Sequence, residues 1–269
     1  MVVHRDELNA VLAETLTENK TVTIAMVNRA YVEGDKSMLD LYILGRLLAR
    51  RWLETDGFNF AEEKKFMSED YVKMMWRRTQ FLGAGCSQAR LQLHLHGTFD
   101  TDVLWLTNPF SIPSSNETID FQNSTDHFNG SDPNHLNNGI SIVRSNKKTI
   151  SMFDYWYAAR KDYVGLNEQE VLTTLVKNGL FKDLGLSFKF FNTLYFSAFC
   201  ENSRDVGVVV TVHANCCGRT ISVKVADLTT VIHDWKRAKS LSANETSTLL
   251  SVFSFLGQLR IIQLFPKVV

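Results

Sequence analysis

The apolar positions of this chain follow two periods, which predict helices and strands. Leu8, Val11 and Leu12 are spaced as on one face of a helix, whereas residues 91–96 alternate between apolar and polar as in a half-exposed strand. The two periods predict helices over residues 4–17, 39–54, 68–82, 149–160 and 167–178, and strands over residues 21–27, 91–96, 140–143, 188–191 and 206–213. Strands that alternate with helices favour a mostly parallel α/β sheet with helices on both faces, which binds ligands beyond the carboxyl ends of its strands.

Two intervals depart from these periods. Residues 113–138 are rich in Ser, Asn, Asp and Gly and predict a loop with short ordered pieces. Residues 249–269 begin apolar but are broken by Gly257 and Pro266, so they predict an amphipathic helix packed on the domain and not a membrane span. A chain of 269 residues is long enough for an ample core, and we expect one domain over residues 1–269.

The charges and the N-terminal residues of the chain bear on nucleic-acid binding and on membrane insertion. The chain has 29 basic and 29 acidic residues and no basic stripe, which argues against a nucleic-acid partner. No apolar segment precedes His4, so we expect neither a signal peptide nor a membrane span in this chain.

The cysteines leave two interpretations open. Cys86, Cys200, Cys216 and Cys217 lack the paired spacing of a structural zinc site. A disulfide from Cys200 to Cys216 or to Cys217 would fit an oxidising compartment. The alternative is that the cysteines are small buried hydrophobic residues.

Two carboxylates, Asp100 and Asp102, stand two residues apart where a strand should end. Such a pair can reach one divalent cation, and that cation can neutralise a diphosphate. Solvated turn residues show the same spacing, and after an apolar stretch the motif is also similar to the nucleophile motif of haloacid-dehalogenase-type phosphatases. Those phosphatases carry the motif on the first strand and need a late acidic pair. This chain has neither feature, which favours a phosphate-linked metal site.

Four stretches, taken together, resemble the plant nucleotide-diphospho-sugar transferases. The resemblance is strongest over residues 62–235, and it is carried by residues 63–67 with 74–78, 100–105 with 108–110, 126–130 with 138–139, and 213–217. It implies a Rossmann-like GT-A fold and metal-dependent transfer of a sugar from a nucleotide-diphosphate donor, UDP-linked, with retention. The implied acceptor is a cell-wall glycan or glycoprotein, and the implied compartment is the Golgi lumen.

The resemblance also implies roles for individual residues. Asp100, Asp102 and His213 would hold Mn²⁺ or Mg²⁺, with the imidazole favouring Mn²⁺. Glu168 and Gln169 stand where the family commonly shows Asp-Gln and would act near the reacting anomeric carbon. Contacts with the donor would come from Asn28, Arg77, Arg78, Asp126, Asn138 and Gly139. Ordinary structural uses exist for the same residue types: an edge histidine, a solvated helical arginine, or an Asn-Gly turn.

Departures from the family pattern support a second hypothesis. Residues 51–62 leave little room for a strand that the family has, and the strand predicted at residues 91–96 places two imidazoles where apolar packing is expected. If both departures hold, one strand is missing and donor binding is weak. The protein would then be a catalytically degenerate transferase-like partner of an active relative.

Overall fold

The computed structural model describes residues 21–25, 64–88, 95–112, 118–127, 135–216 and 220–240. The described part contains eight strands and five α-helices. The strands are β1 (Thr21–Ala25), β2 (Leu95–Phe99), β3 (Val103–Trp105), β4 (Phe121–Thr125), β5 (Leu136–Arg144), β6 (Phe188–Phe190), β7 (Phe196–Ala198) and β8 (Thr211–His213). The helices are α1 (Glu69–Gln88), α2 (Lys147–Ala159), α3 (Glu168–Lys177), α4 (Leu180–Asp183) and α5 (Ile221–Ser240).

The strands form one sheet of five and one of three. The larger sheet has the order β1-β2-β5-β4-β6, in which β5 is antiparallel to both of its neighbours while β1 and β6 are parallel to theirs. The smaller sheet has the order β3-β8-β7, with β3 and β8 antiparallel. The α/β class is confirmed. The larger sheet is mixed because β5 runs opposite to its neighbours, but β1, β2, β4 and β6 share one direction, so the prediction of a mostly parallel sheet holds for the described strands of this sheet.

The short ordered pieces predicted within the loop of residues 113–138 are strands that the sequence analysis did not identify. This interval contains all of β4 and the start of β5. The strand β4 was hidden in the sequence because its polar residues are buried and bond to β5: Asn123 Nδ2 donates to Ser141 Oγ at 2.7 Å, and Ser124 Oγ donates to the Asn137 carbonyl at 2.8 Å. A polar strand with internal partners has the composition of a solvated loop.

Two capping boxes fix the helices that flank the site. Asn146 caps α2 together with Thr149, and Asn167 caps α3 together with Glu170. The helices predicted over residues 149–160 and 167–178 therefore exist with small shifts at their ends. Because Asn167 ends the preceding loop, Glu168 and Gln169 occupy the first turn of α3.

The main core lies between the larger sheet and helices α1, α2 and α3. Its buried residues include Trp76, Leu82, Phe121, Val143 and Met152. A second cluster lies where α5 covers the smaller sheet, through Leu104, Val212 and Leu228. Because β3 and β8 are packed in this way, the residues at their ends are held in fixed positions.

Several predictions fall outside the described residues. These are the helices over residues 4–17 and 39–54, the missing strand near residues 51–62, Asn28, His94, Cys217 and the tail over residues 249–269. The single domain over residues 1–269 also extends beyond them and stays a prediction. Among the helices that the structure describes, none is both long enough and apolar enough to cross a membrane.

Candidate metal and donor site

Strand pairing in the smaller sheet brings Asp102 to His213. Val103 lies opposite His213 in the antiparallel pair of β3 and β8, and the Ala214 amide donates to the Asp102 carbonyl at 2.9 Å. As a result Asp102 Oδ1 lies 3.3 Å from His213 Nε2. Asp100, two residues earlier, is held by its amide, which donates to the Gly139 carbonyl on β5 at 2.7 Å.

These three side chains converge as the sequence predicts. One possible ligand atom from each of Asp100, Asp102 and His213 lies within 4.8 Å of the other two. Asp102 and His213 are buried, and His213 Nδ1 has no hydrogen-bond partner among the described residues. A buried nitrogen of this kind calls for an ion, a water or a ligand. Two carboxylates and an imidazole whose ligand atoms lie this close together fit a divalent cation.

Gly139 lies directly against the imidazole of His213. A Cβ atom built at this position would lie 2.7 Å from His213 Nδ1 and 2.9 Å from Asn137 Oδ1, closer than real side chains approach. The absence of a side chain at residue 139 is therefore what admits the histidine ring onto β5. The family resemblance implied a contact between Gly139 and the donor, and the group that lies against Gly139 in this structure is His213.

The charges around Asp102 keep it ionised. Burial alone would raise the pKa of Asp102, but His213 and Lys224 outweigh burial and lower its pKa well below the usual range. Burial alone would lower the pKa of His213, and the contact with Asp102 raises it above the ordinary value instead. Lys224 Nζ lies 2.5 Å from Asp102 Oδ2. Sequence reasoning missed Lys224, because a lysine in the first turn of a helix looks like any solvated residue.

Arg78 joins Asp100 to Glu168. One guanidinium nitrogen contacts Asp100 Oδ1, and the other donates to Glu168 Oε1 at 2.6 Å. Burial would lower the pKa of Arg78, but the two carboxylates raise it. For Asp100 burial prevails over Arg78, so its pKa is raised. Burial, followed by the charges of Glu168 and Asp100, also raises the pKa of Tyr71, two turns earlier on α1.

Glu168 is almost fully buried. Its side chain is only 3% exposed, and its carbonyl accepts a hydrogen bond from Trp156 Nε1 at 2.7 Å. The residue is thus held from both its side chain and its backbone. Of the two arginines predicted to face the site, Arg78 carries the contacts described here, and Arg77 is partly exposed.

Gln169 holds the backbone of β5. Its Oε1 accepts a hydrogen bond from the Asn138 amide at 2.9 Å. The side chain of Asn138 is buried, its Oδ1 accepts from Asn123 at 3.3 Å, and its Nδ2 has no partner in the described part of the chain. Asn138 therefore has a spare donor of the kind that a sugar hydroxyl could use.

Asp126 is clamped between two asparagines. Its Oδ1 accepts from Asn137 Nδ2 at 2.6 Å and from Asn215 Nδ2 at 2.7 Å. Asn215 also accepts a hydrogen bond from the Cys200 amide at 3.1 Å, next to the disulfide between Cys200 and Cys216. The interpretation as a disulfide is therefore confirmed for Cys200, which pairs with Cys216. Cys86 is instead buried in the main core, as the other interpretation expects.

The architecture is shared with a known glycosyltransferase. The chain is similar to the crystal structure of a glycosyltransferase involved in the glycosylation of the major capsid of PBCV-1, with a TM-score of 0.51 and 15% sequence identity over 78% of this chain and 98% of that chain. At this identity the likeness shows the fold alone.

The family follows from sequence comparison. Residues 39–228 match the nucleotide-diphospho-sugar transferase family, and the chain belongs to that family. Its enzyme class is therefore glycosyltransferase. Two uncharacterized proteins of Arabidopsis thaliana are similar over most of their length. One is 39% identical over 89% of this chain and 80% of the relative, and the other is 32% identical over 91% and 71%.

Proposed function

We propose that this protein transfers a sugar from a UDP-linked donor to a cell-wall glycan or glycoprotein, with a divalent cation held by Asp100, Asp102 and His213. The observation that carries the proposal is the convergence of two carboxylates and a buried imidazole at the ends of β3 and β8. The family supplies the nucleotide-sugar substrate class. Two oxygens and one imidazole suit Mn²⁺ better than Mg²⁺.

The bound cation would act as a Lewis acid toward the donor diphosphate, stabilising the charge on the leaving nucleotide. Other residues of the chain bind the donor and surround the reacting carbon. Asn138 offers its spare amide donor to a sugar hydroxyl, while Gln169 fixes the backbone that carries Asn138. Glu168 is held by Arg78 close to Asp100 and supplies negative charge beside the reacting carbon. Contacts of Asn28, Arg77 and Asp126 with the donor stay predictions.

We expect the anomeric configuration to be retained. In that mechanism the acceptor attacks from the face that the nucleotide leaves, and the departing phosphate oxygen takes the acceptor proton. The arrangement supports this course because Glu168 is already paired with Arg78 and Gln169 with the Asn138 amide, so neither is poised as a conventional base. NMR of the first-formed product is the measurement, and an inverted anomeric centre would contradict the mechanism.

We expect a protein with this function to act in the Golgi lumen. The disulfide between Cys200 and Cys216 supports it, since such bonds persist in oxidising compartments and are rare in the cytosol.

Thermal melts test the donor site without knowledge of the sugar. We expect millimolar UDP with Mn²⁺ to raise the melting temperature by several degrees, because a ligand that binds only the folded state stabilises it by mass action. UDP without metal should give a much smaller shift, and AMP with Mn²⁺ serves as the control for nonspecific nucleotide binding.

The same melts address the second hypothesis. A catalytically degenerate protein that has lost its donor pocket would melt at the same temperature with and without UDP and Mn²⁺. A protein that keeps the pocket but not the chemistry would show the shift and yet fail to release UDP from any member of a panel of UDP-sugars.

A further inference from the structure

The ammonium group of Lys224 contacts the carboxylate of Asp102, which is one of the proposed metal ligands. Lys224 Nζ lies 2.5 Å from Asp102 Oδ2, and the two side chains are 20% and 11% exposed. An ammonium group in direct contact with a carboxylate forms a charge-assisted hydrogen bond. Lys224 lies in the first turn of α5, which is packed over the smaller sheet through Leu228. The packing of α5 keeps the lysine stem close to Asp102.

Both oxygens of Asp102 already have a partner. Oδ1 lies 3.3 Å from His213 Nε2, and Oδ2 lies 2.5 Å from Lys224 Nζ. A cation that uses Asp102 must therefore share the carboxylate with the ammonium or displace it. Like charges a few ångströms apart in a partly buried site repel strongly, so displacement is favoured over sharing.

The guanidinium group of Arg78 cannot be displaced from the site in the same way. Arg78 is held by both Asp100 and Glu168, and its departure would leave Glu168 buried without its counter-charge. Lys224 has a flexible four-carbon stem, and its partner Asp102 would regain a positive neighbour as soon as a metal binds. A metal that displaces Lys224 therefore restores a positive charge next to Asp102. A metal that displaced Arg78 would leave Glu168 without one.

We infer that Lys224 is the built-in counter-ion of the metal-free site, that a divalent cation displaces it from Asp102, and that Lys224 thereby sets the affinity of the site for the cation. The inference rests on the metal site of the proposed function. Lys224 acts through Asp102 and is a positioning residue in the metal-free protein. It holds the carboxylate in place until the metal arrives.

Titration of the protein with Mn²⁺ alone tests this inference. The electron paramagnetic resonance signal of free Mn²⁺ reports the dissociation constant for wild type and for Lys224→Met. Removing the competing charge should tighten Mn²⁺ binding about tenfold or more, since the repulsion between nearby charges is lost. Lys224→Arg keeps the charge and should not tighten binding. Lys73→Met is the matched control, because Lys73 pairs with Glu69 on the exposed face of α1.

The outcomes separate this inference from the proposed function. Equal or weaker Mn²⁺ binding by a folded Lys224→Met variant overturns the inference and leaves the metal site standing. Failure of both proteins to bind Mn²⁺ overturns both. Binding by the variant alone supports the inference in its strongest form. If Lys224→Met does not fold, Lys224→Gln replaces it, because the amide still donates to Asp102 without a charge, and the same tightening is expected.

Discussion

Replacing Asp102 by Asn is expected to abolish metal-dependent sugar transfer, with turnover reduced at least about a hundredfold. Asn preserves the shape of the side chain and one oxygen but removes the negative charge that faces His213 and Lys224. A neutral amide oxygen is a much weaker ligand for a divalent cation than a carboxylate. Mn²⁺ binding and the stabilisation by UDP with Mn²⁺ should disappear together.

The measurements are Mn²⁺ titration, thermal melts and release of UDP from the donor. Asp183→Asn is the matched control, because Asp183 is an exposed aspartate at the end of α4 and should leave all three unchanged. A folded Asp102→Asn protein that still binds Mn²⁺ with wild-type affinity would refute the assignment of Asp102 as a ligand.

The convergence of Asp100, Asp102 and His213 could be predicted because the motifs that resemble the transferase family include all three residues. Asp-x-Asp at a strand end and His213 after a later strand are visible in the sequence, and the pairing of β3 with β8 then brings them together. The helices α2 and α3 were likewise predicted from apolar residues spaced only three or four positions apart. Patterns of this kind can be recognised in the sequence before the fold is known.

Features that depend on distant partners could not be predicted. The direction of β5 leaves no trace in the sequence, since a strand has the same alternation whichever way it runs. The polar strand β4 looks like a loop until Asn123 and Ser141 are known to be neighbours. Lys224 belongs to the site only because α5 packs against the smaller sheet, and no motif records that contact.

Arg78 was predicted on a helix facing the donor, and the structure adds what the arginine holds. Its two contacts join Asp100 of the proposed metal site to Glu168 of the proposed catalytic pair, across 90 residues of sequence between Arg78 and Glu168. Buried charges of opposite sign depend on one another, because each would be costly to keep without its partner. The arginine is therefore expected to matter for folding as well as for the site.

Replacing Arg78 by Met should lower the free energy of unfolding by about 3–5 kcal/mol, because it leaves the Glu168 carboxylate buried without a counter-charge. Urea denaturation gives the value, and Arg237→Met is the matched control. Arg237 is an exposed arginine in the last turn of α5 and should change stability by less than about 1 kcal/mol.

A double-mutant cycle shows whether the loss belongs to the ion pair. Adding Glu168→Gln to Arg78→Met removes the stranded charge, so the double variant should be more stable than Arg78→Met alone, and the coupling energy should exceed about 1 kcal/mol. If the two substitutions simply add, or if Arg78→Met lowers stability no more than Arg237→Met does, then Arg78 does not hold Glu168 in place. Glu168 would in that case owe its position to the hydrogen bond between its carbonyl and Trp156 and to the cap at Asn167.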